Sequence, residues 1–276
     1  MSLRARVTGI GLWMPGFPGP ASWLSGQRVE GVEVPNTSGP NTAAQAKLRR
    51  RSSLLVNMVT DVASQASAQA GVPLARLRVV VGSAFGELTT LVAMLDERER
   101  DGLLSPLHFQ NSVHNAAAGQ LSIAHGNKTP STSLAAGNDT VAMVLLEAMT
   151  LLALGGDEVI AIVADEPLPQ SIRPGHRASA IAAALVLAPE PAGGADSTLG
   201  PGTTSLGVLE ELQQTGAAPP ALERPLEVDG PSAAILPLIA ALGHGRPGRV
   251  PLSPAEDPRW SIALRDVPRT SGIVSA

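Results

Sequence analysis

Pro130 to Thr140 reads PSTSLAAGNDT and runs without a break into VAMVLLEAMTLLA, residues 141–153. Ser131–Leu134 is a short strand, and the small residues after it make a turn. The segment from Asp139 to Ala153 is a helix that is apolar nearly all round. A helix with no polar face has to be buried on all sides, as at the centre of a layered α/β fold. This strand–turn–buried helix unit sets the expectation for the rest of the chain.

Working outward, Leu77–Val81 (LRVVV) has the β-branched character of a buried parallel strand. Gly82-Ser83-Ala84-Phe85-Gly86 is a tight turn into a helix over Glu87–Asp101. Leu103–Phe109 reads as a loop, and Val113–Ala124 (VHNAAAGQLSIA) as a helix whose small side chains let neighbouring backbones come close. Upstream, Arg4–Trp13 (RARVTGIGLW) is a strand stopped by Met14-Pro15-Gly16. Residues 15–46 form an irregular excursion, and a helix runs from about Ala43 to Ala70, where Gly71-Val72-Pro73 ends it. Downstream, Glu158–Ala164 (EVIAIVA) and Ala178–Ala188 (ASAIAAALVLA) are strands. Residues 232–243 are helical in spite of Pro237, and Trp260–Leu264 is a closing strand. The alternation predicts an α/β fold, a layered sheet flanked by helices around a buried central helix.

Residues 1–188 are read as one domain. From Pro189 to Pro231 the composition shifts to Pro, Gly and Thr around the short run Thr204–Gln213. Residues 189–267 are therefore read as a linker and a closing α/β segment packed on the same domain, and residues 268–276 as a disordered tail.

The 276 residues contain no cysteine, which excludes disulfides and thiolate metal sites and fits a reducing compartment, the cytoplasm by default. Three Phe, three Trp and no Tyr supply few platforms for stacking on nucleic-acid bases. A net charge of −4 leaves no basic footprint for nucleic acid or an anionic membrane. Two Lys against eighteen Arg, with abundant Ala, Gly and Pro, reflect a GC-rich coding bias. The longest apolar run, Val141–Leu154, carries Glu147 and Thr150 and falls short of the roughly 18 residues of a membrane span. The start, MSLRARVTGIGLWMPG, has no apolar region with a small-residue cleavage site and reads as the first strand.

Asn115–Asn138 (NAAAGQLSIAHGNKTPSTSLAAGN) follows, without a gap, a pattern of Asn, two apolar residues, Ala-Gly, an apolar helix, Gly, Pro-Ser and an apolar strand leading to Ala-Cys. In this the chain resembles the β-ketoacyl synthases. Arg6–Pro15 resembles their opening V-T-G-x-G strand, and Gly82–Leu88 (GSAFGEL) their G-S-x-x-G-G-L turn. Leu154–Glu166 (LGGDEVIAIVADE) resembles their strand ending in an acidic residue. The resemblance covers residues 4 to 188 and implies the amino-terminal half of a thiolase-like fold. More narrowly, the chain resembles the chain-length-factor partners of type II polyketide and aryl-polyene ketosynthases.

In that register Asn138 occupies the position of the catalytic cysteine. The family's two catalytic histidines come from a second half that 276 residues have no room for. His244, in Gly243-His244-Gly245, lacks the surrounding Lys-Ser and Gly-Ala pattern and reads as a solvated turn histidine. Condensation needs a thiolate to accept the acyl group and histidines to assist decarboxylation, and an amide supplies neither. The resemblance therefore implies a pseudoenzyme subunit with no catalytic residue, no cofactor and no metal. By the same resemblance it would pair with an active ketosynthase in a heterodimer, to which an acyl carrier protein would bring the chain. Phe85 would gate the acyl pocket by its bulk, and Pro106, Leu107, His108, Phe109, Gln110, Asn111 and Ser112 would form the partner interface.

Competing readings exist for each residue. Asn138 is a good N-cap for the following helix, and Phe85 suits ordinary core packing. Asp165 and Glu166 form a possible acid/base pair, although strand-end acids commonly cap loops. Ser131 and Ser133 are the nucleophiles of an alternative, a free-standing thioester hydrolase or acyltransferase, but neither lies in G-x-S-x-G. His114 and His125 stand eleven residues apart along or beside one helix, about 16 Å in rise, too far to share a metal.

Overall fold

Strand β1 (Arg4–Trp13) begins and ends where the sequence predicts and lies inside a sheet, antiparallel to β5 (Ile181–Ala188) on one side and to β6 (Gly207–Gln214) on the other. The computed structural model describes residues 3–35, 52–172, 179–190, 204–214, 228–254, 257 and 259–266. The remaining strands are β2 (Arg78–Gly82), β3 (Ser131–Leu134), β4 (Val159–Asp165), β7 (Gly248–Pro251) and β8 (Trp260–Arg265). All eight form one sheet in the order β3-β2-β4-β5-β1-β6-β8-β7. β2 is parallel to both β3 and β4, and every other pairing is antiparallel.

The helices are α1 (Pro20–Leu24), α2 (Leu54–Ala70), α3 (Leu88–Asp101), α4 (Pro106–Asn111), α5 (Ala116–His125), α6 (Thr140–Ala153) and α7 (Leu236–His244). Two apolar clusters divide the faces of the sheet. α2 and α5 cover one face, where Met58, Val62 and Leu121 meet Val79, Ile160 and Ile162. α6 and α7 cover the other, where Val144, Leu145 and Ile239 meet Val80, Val163 and Leu185. α2 lies directly on β1, because a Cβ at Gly9 or Gly11 would run into the carbonyl of Ala66 or Val62. It starts at Leu54, with the Ser53 hydroxyl accepting from the Val56 N–H, and stops at Gly71 in the left-handed conformation (φ 70°). The earlier part of that expected helix, residues 43–51, falls outside the described residues.

α6 is the central helix that its composition predicts, with one qualification. Val141, Val144, Leu145, Ala148 and Met149 are fully buried, whereas Met143, Leu146 and Leu151 on other positions are half-buried. Leu103–Phe109, expected to be a loop, is in part α4. Ser105 caps it and Pro106 occupies its first turn, where a missing N–H costs nothing. The Thr204–Gln213 run becomes β6, which extends the same sheet through β8 and β7. Pro237 is tolerated for the same first-turn reason. The expected disordered tail lies outside the described residues. Among the described residues no helix is long and apolar enough to cross a membrane.

Candidate functional site

The three parallel strands β2, β3 and β4 end side by side, and the carboxyl ends of such strands are where α/β sheets present ligand sites. Three segments meet there: the turn Gly82–Gly86 carrying Phe85, the turn Ala135–Asp139 carrying Asn138, and the acids Asp165 and Glu166 at the end of β4.

Asn138 is exposed and sits in a 3-10 turn, Gly137–Asp139, that leads into α6. It is not the N-cap. Asp139 holds that position, and the hydrogen bonds that close the turn run through Thr140, whose hydroxyl donates to the Gly137 carbonyl (2.7 Å) and accepts from the Ala136 N–H (3.1 Å). The Asn138 amide is hydrogen-bonded to the Asp257 carboxylate. Arg259 pairs with Asp257 at 2.7 Å and with Asp139 at 3.5 Å. That Arg259 contact, more than the amide, holds the Asp257 carboxyl below its ordinary range. Asn138, Asp139, Asp257 and Arg259 thus form a polar, solvent-facing clasp at the start of α6.

Phe85 is 37 % exposed, so it is not a core residue. Its turn is pinned on the side of Ser83 by Asp165, which accepts from the Ser83 hydroxyl and the Ala84 N–H (both 2.9 Å) and from the Ser232 N–H and hydroxyl (3.1 and 2.6 Å). Burial pushes the Asp165 carboxyl up, and these donors pull it back. Gly86 adopts φ 58° and backs onto the His114 ring. Beneath α6, Val141, Val144, Leu145, Ala161, Val163, Ala183, Leu185 and Ile235 line an apolar void of about 10 Å³, which Phe85 does not reach. Ligand pockets run to roughly 300 Å³ or more, so this void holds no acyl chain.

Asp165 and Glu166 do not act together, because consecutive strand residues point to opposite faces. Glu166 turns toward α2 and accepts from the Leu55 N–H at 3.0 Å, while Asp165 faces Ser232. Glu166 instead shares its surroundings with Glu87, a residue the sequence reading passed over. Burial pushes the Glu87 carboxyl up to about 7, and the neighbouring Glu166 charge adds to that.

The segment expected to form a partner interface is displayed. Within α4, Phe109 is 60 % exposed, and Leu107 and Gln110 are also exposed, beside Pro106. Asn111 turns inward and accepts from Gln120 Nε2 at 2.8 Å. His108 Nδ1 lies 2.9 Å from Glu97 Oε1 of α3, and the Ser112 hydroxyl donates to the Phe109 carbonyl. Leu91 and Leu95 of α3 and Leu103 and Leu104 beyond it continue the exposed apolar surface. Their signal in the sequence was the spacing of Leu88, Leu91 and Leu95. Among the described residues β3 is an edge strand, with β2 alone beside it. Neither Ser131 nor Ser133 is hydrogen-bonded to a histidine among the described residues. Those residues also hold no group of three or more His, Asp or Glu placed to bind a metal. His114 is held by the Ser83 carbonyl (3.1 Å), and His244 is exposed at the end of α7.

The profile of the family described as β-ketoacyl synthase, N-terminal domain, matches residues 23–221. No curated protein matches the sequence. Among solved structures, the chain is similar to one from the complex of a ketosynthase with its chain length factor from Xenorhabdus doucetiae. The two are 20 % identical with a TM-score of 0.65, and the match covers 95 % of this chain and 99 % of that one. The ishigamide ketosynthase/chain length factor is 16 % identical with a TM-score of 0.59, over 76 % of this chain and 67 % of that one. A complex of a type II polyketide synthase acyl-carrier protein with its ketosynthase, bound to the hexaketide, is 15 % identical with a TM-score of 0.64. That match covers 76 % of this chain and 68 % of the other. At these identities the likeness is one of fold.

Proposed function

The chain belongs to the β-ketoacyl synthase N-terminal-domain family, and from that premise we propose that it is a non-catalytic, chain-length-factor-like subunit. It pairs with an active ketosynthase and shapes the pocket in which a polyketide, aryl-polyene or fatty-acid-like chain grows on an acyl carrier protein. The observation that carries this reading is Asn138, which the sequence resemblance aligns with the family's cysteine and which is exposed and bonded to Asp257. Acyl transfer needs a nucleophile that an amide does not provide. A division of labour follows, in which the partner contributes the thiol.

Two surface features support the pairing. Among the described residues no strand pairs with the outer edge of β3, and such an edge is a ready template for another strand. α3 and α4 expose leucines and Phe109, which water solvates poorly. Chain-length control by Phe85 requires bulk and placement at a turn, not chemistry, and its exposure leaves it available to a chain in the partner's pocket.

Co-expression with a ketosynthase that has its cysteine and both histidines tests this. A single co-eluting species that extends acyl chains, with product length changed by Phe85→Ala, is expected. Separate monomers under every condition, or acyl-thioester turnover by this chain alone that Ser131→Ala or Ser133→Ala abolishes, would overturn the reading.

A further inference from the structure

Glu87 stands where the family turn G-S-x-x-G-G-L has its second glycine, so this chain adds a carboxyl two residues after Phe85. That carboxyl is buried, only 3 % exposed, and Glu166 beside it is 6 % exposed. The donors around the two acids come from the same two helix starts. From the head of α2, the Ser53 hydroxyl donates to Glu87 Oε1 at 2.7 Å and the Leu55 N–H donates to Glu166 Oε1 at 3.0 Å. From the first turn of α3, the Thr90 hydroxyl donates to Glu87 Oε2 at 3.0 Å, and the Thr89 hydroxyl bonds Glu166.

Every one of these donors is neutral. Among the described residues no Lys or Arg pairs with either acid. The other titratable groups nearby face elsewhere. Asp165 points to the opposite side of β4 with Ser83, Ala84 and Ser232 around it. His114 stands against Gly86 with Nε2 on the Ser83 carbonyl. Asp61 lies further along α2. Two buried carboxyls held by neutral donors do not both ionise cheaply, since desolvation and mutual repulsion add.

We propose that the Glu87–Glu166 pair holds a single proton that fastens the start of α3, making Glu87 a positioning residue for the Phe85 turn. The turn is then anchored at both ends, by the Asp165 side chain before Phe85 and by the protonated pair after it. Losing the proton leaves two adjacent negative charges bridging α2 and α3, and α3 is the weaker side, because Met94 is its one fully buried residue. The burial-driven displacement of Glu87, from 4.5 to about 7, places that loss near neutrality.

The device concerns the turn and stands whether or not Phe85 gates an acyl chain; that role rests on the reading above. Hydrogen exchange of the backbone amides from Gly86 to Leu95, on the full chain alone and corrected for the intrinsic pH dependence, tests it. From about pH 5 to about pH 8 exchange is expected to rise roughly tenfold or more, the factor that one unit of pKa displacement represents. Glu87→Gln should remove the rise near neutrality. Glu166→Gln, which removes the repulsion but leaves Glu87 buried, should move the rise to lower pH and carries the test if Glu87→Gln does not fold. A flat wild-type profile, a rise unchanged in Glu87→Gln, or a midpoint unmoved in Glu166→Gln would each overturn the proposal. Product length in the reconstituted complex reads separately on Phe85, so failure of the gate and failure of the proton device are distinguishable.

Discussion

α3 and α6 occupy matching places in the fold and are treated in opposite ways. Each has 14 residues, and each follows one of the parallel strands, α3 after β2 and α6 after β3. α6 buries eight residues under the sheet, while α3 buries Met94 alone. The sequences explain the contrast. α6 carries one charged residue, Glu147, whereas α3 ends in six, Asp96 to Asp101, and its leucines at 91 and 95 face solvent. The same topological position thus yields a core element once and a displayed surface once. Among the described residues the α3 leucines are left uncovered, which makes them the surface to test for a partner.

The sharpest way to break this contrast is to truncate one leucine in each helix. Leu145→Ala opens a hole in the fully buried face of α6 and is expected to cost ~2–5 kcal/mol, read as a drop in the urea midpoint. If the loss is instead that of a surface substitution, α6 is not the keystone and the contrast with α3 collapses.

The next effect concerns the acid pair that ties α3 to α2. Glu87 has its folded-state pKa raised, from 4.5 to about 7, so its stabilising contribution is fully present below 4.5 and is lost as pH rises through 7. Glu87→Gln cannot lose a proton. It should match the wild type in stability near pH 4.5 and exceed it by ~1–3 kcal/mol above pH 7. Thermal melts across that range decide it, and parallel curves for the two proteins would count against any buried charge at this point.

The contrast between α3 and α6 also separates what the chain spells out from what it does not. β1 and β3 are legible to the residue, because each short run ends at a turn, Met14-Pro15-Gly16 and Ala135-Ala136-Gly137. α6 is legible because its apolarity is continuous. α4 was legible in principle, since Ser105-Pro106 is an N-cap followed by a first-turn proline, but its 6 residues are too few to show a helical period. The pairing of β6 with β1 spans about 200 residues of sequence, and no local pattern carries it. The acid pair is hidden for the same reason. Glu87 and Glu166 are brought together by β2 lying beside β4, while the sequence draws attention to Asp165-Glu166, which the strand's two-residue period drives apart. Asn138 was visible as a departure from a pattern, but its contact with Asp257 required the fold.

The smallest effect on stability carries the most weight for function. Leu95 is 50 % exposed, so Leu95→Ala should change the stability of the chain by no more than ~0.5 kcal/mol. If α3 is covered by a ketosynthase, the same leucine becomes buried in the complex. Burying a leucine contributes about 1.5–3 kcal/mol, so its loss should weaken pairing roughly tenfold to a hundredfold. Titration of the partner by calorimetry measures this against the urea midpoint of the isolated chain. A variant that leaves both unchanged would confine the interface to α4 and the β3 edge and leave the α3 leucines without a partner. A variant that loses stability on its own would show that α3 is packed within the chain after all, and its resemblance to α6 would then extend from topology to burial.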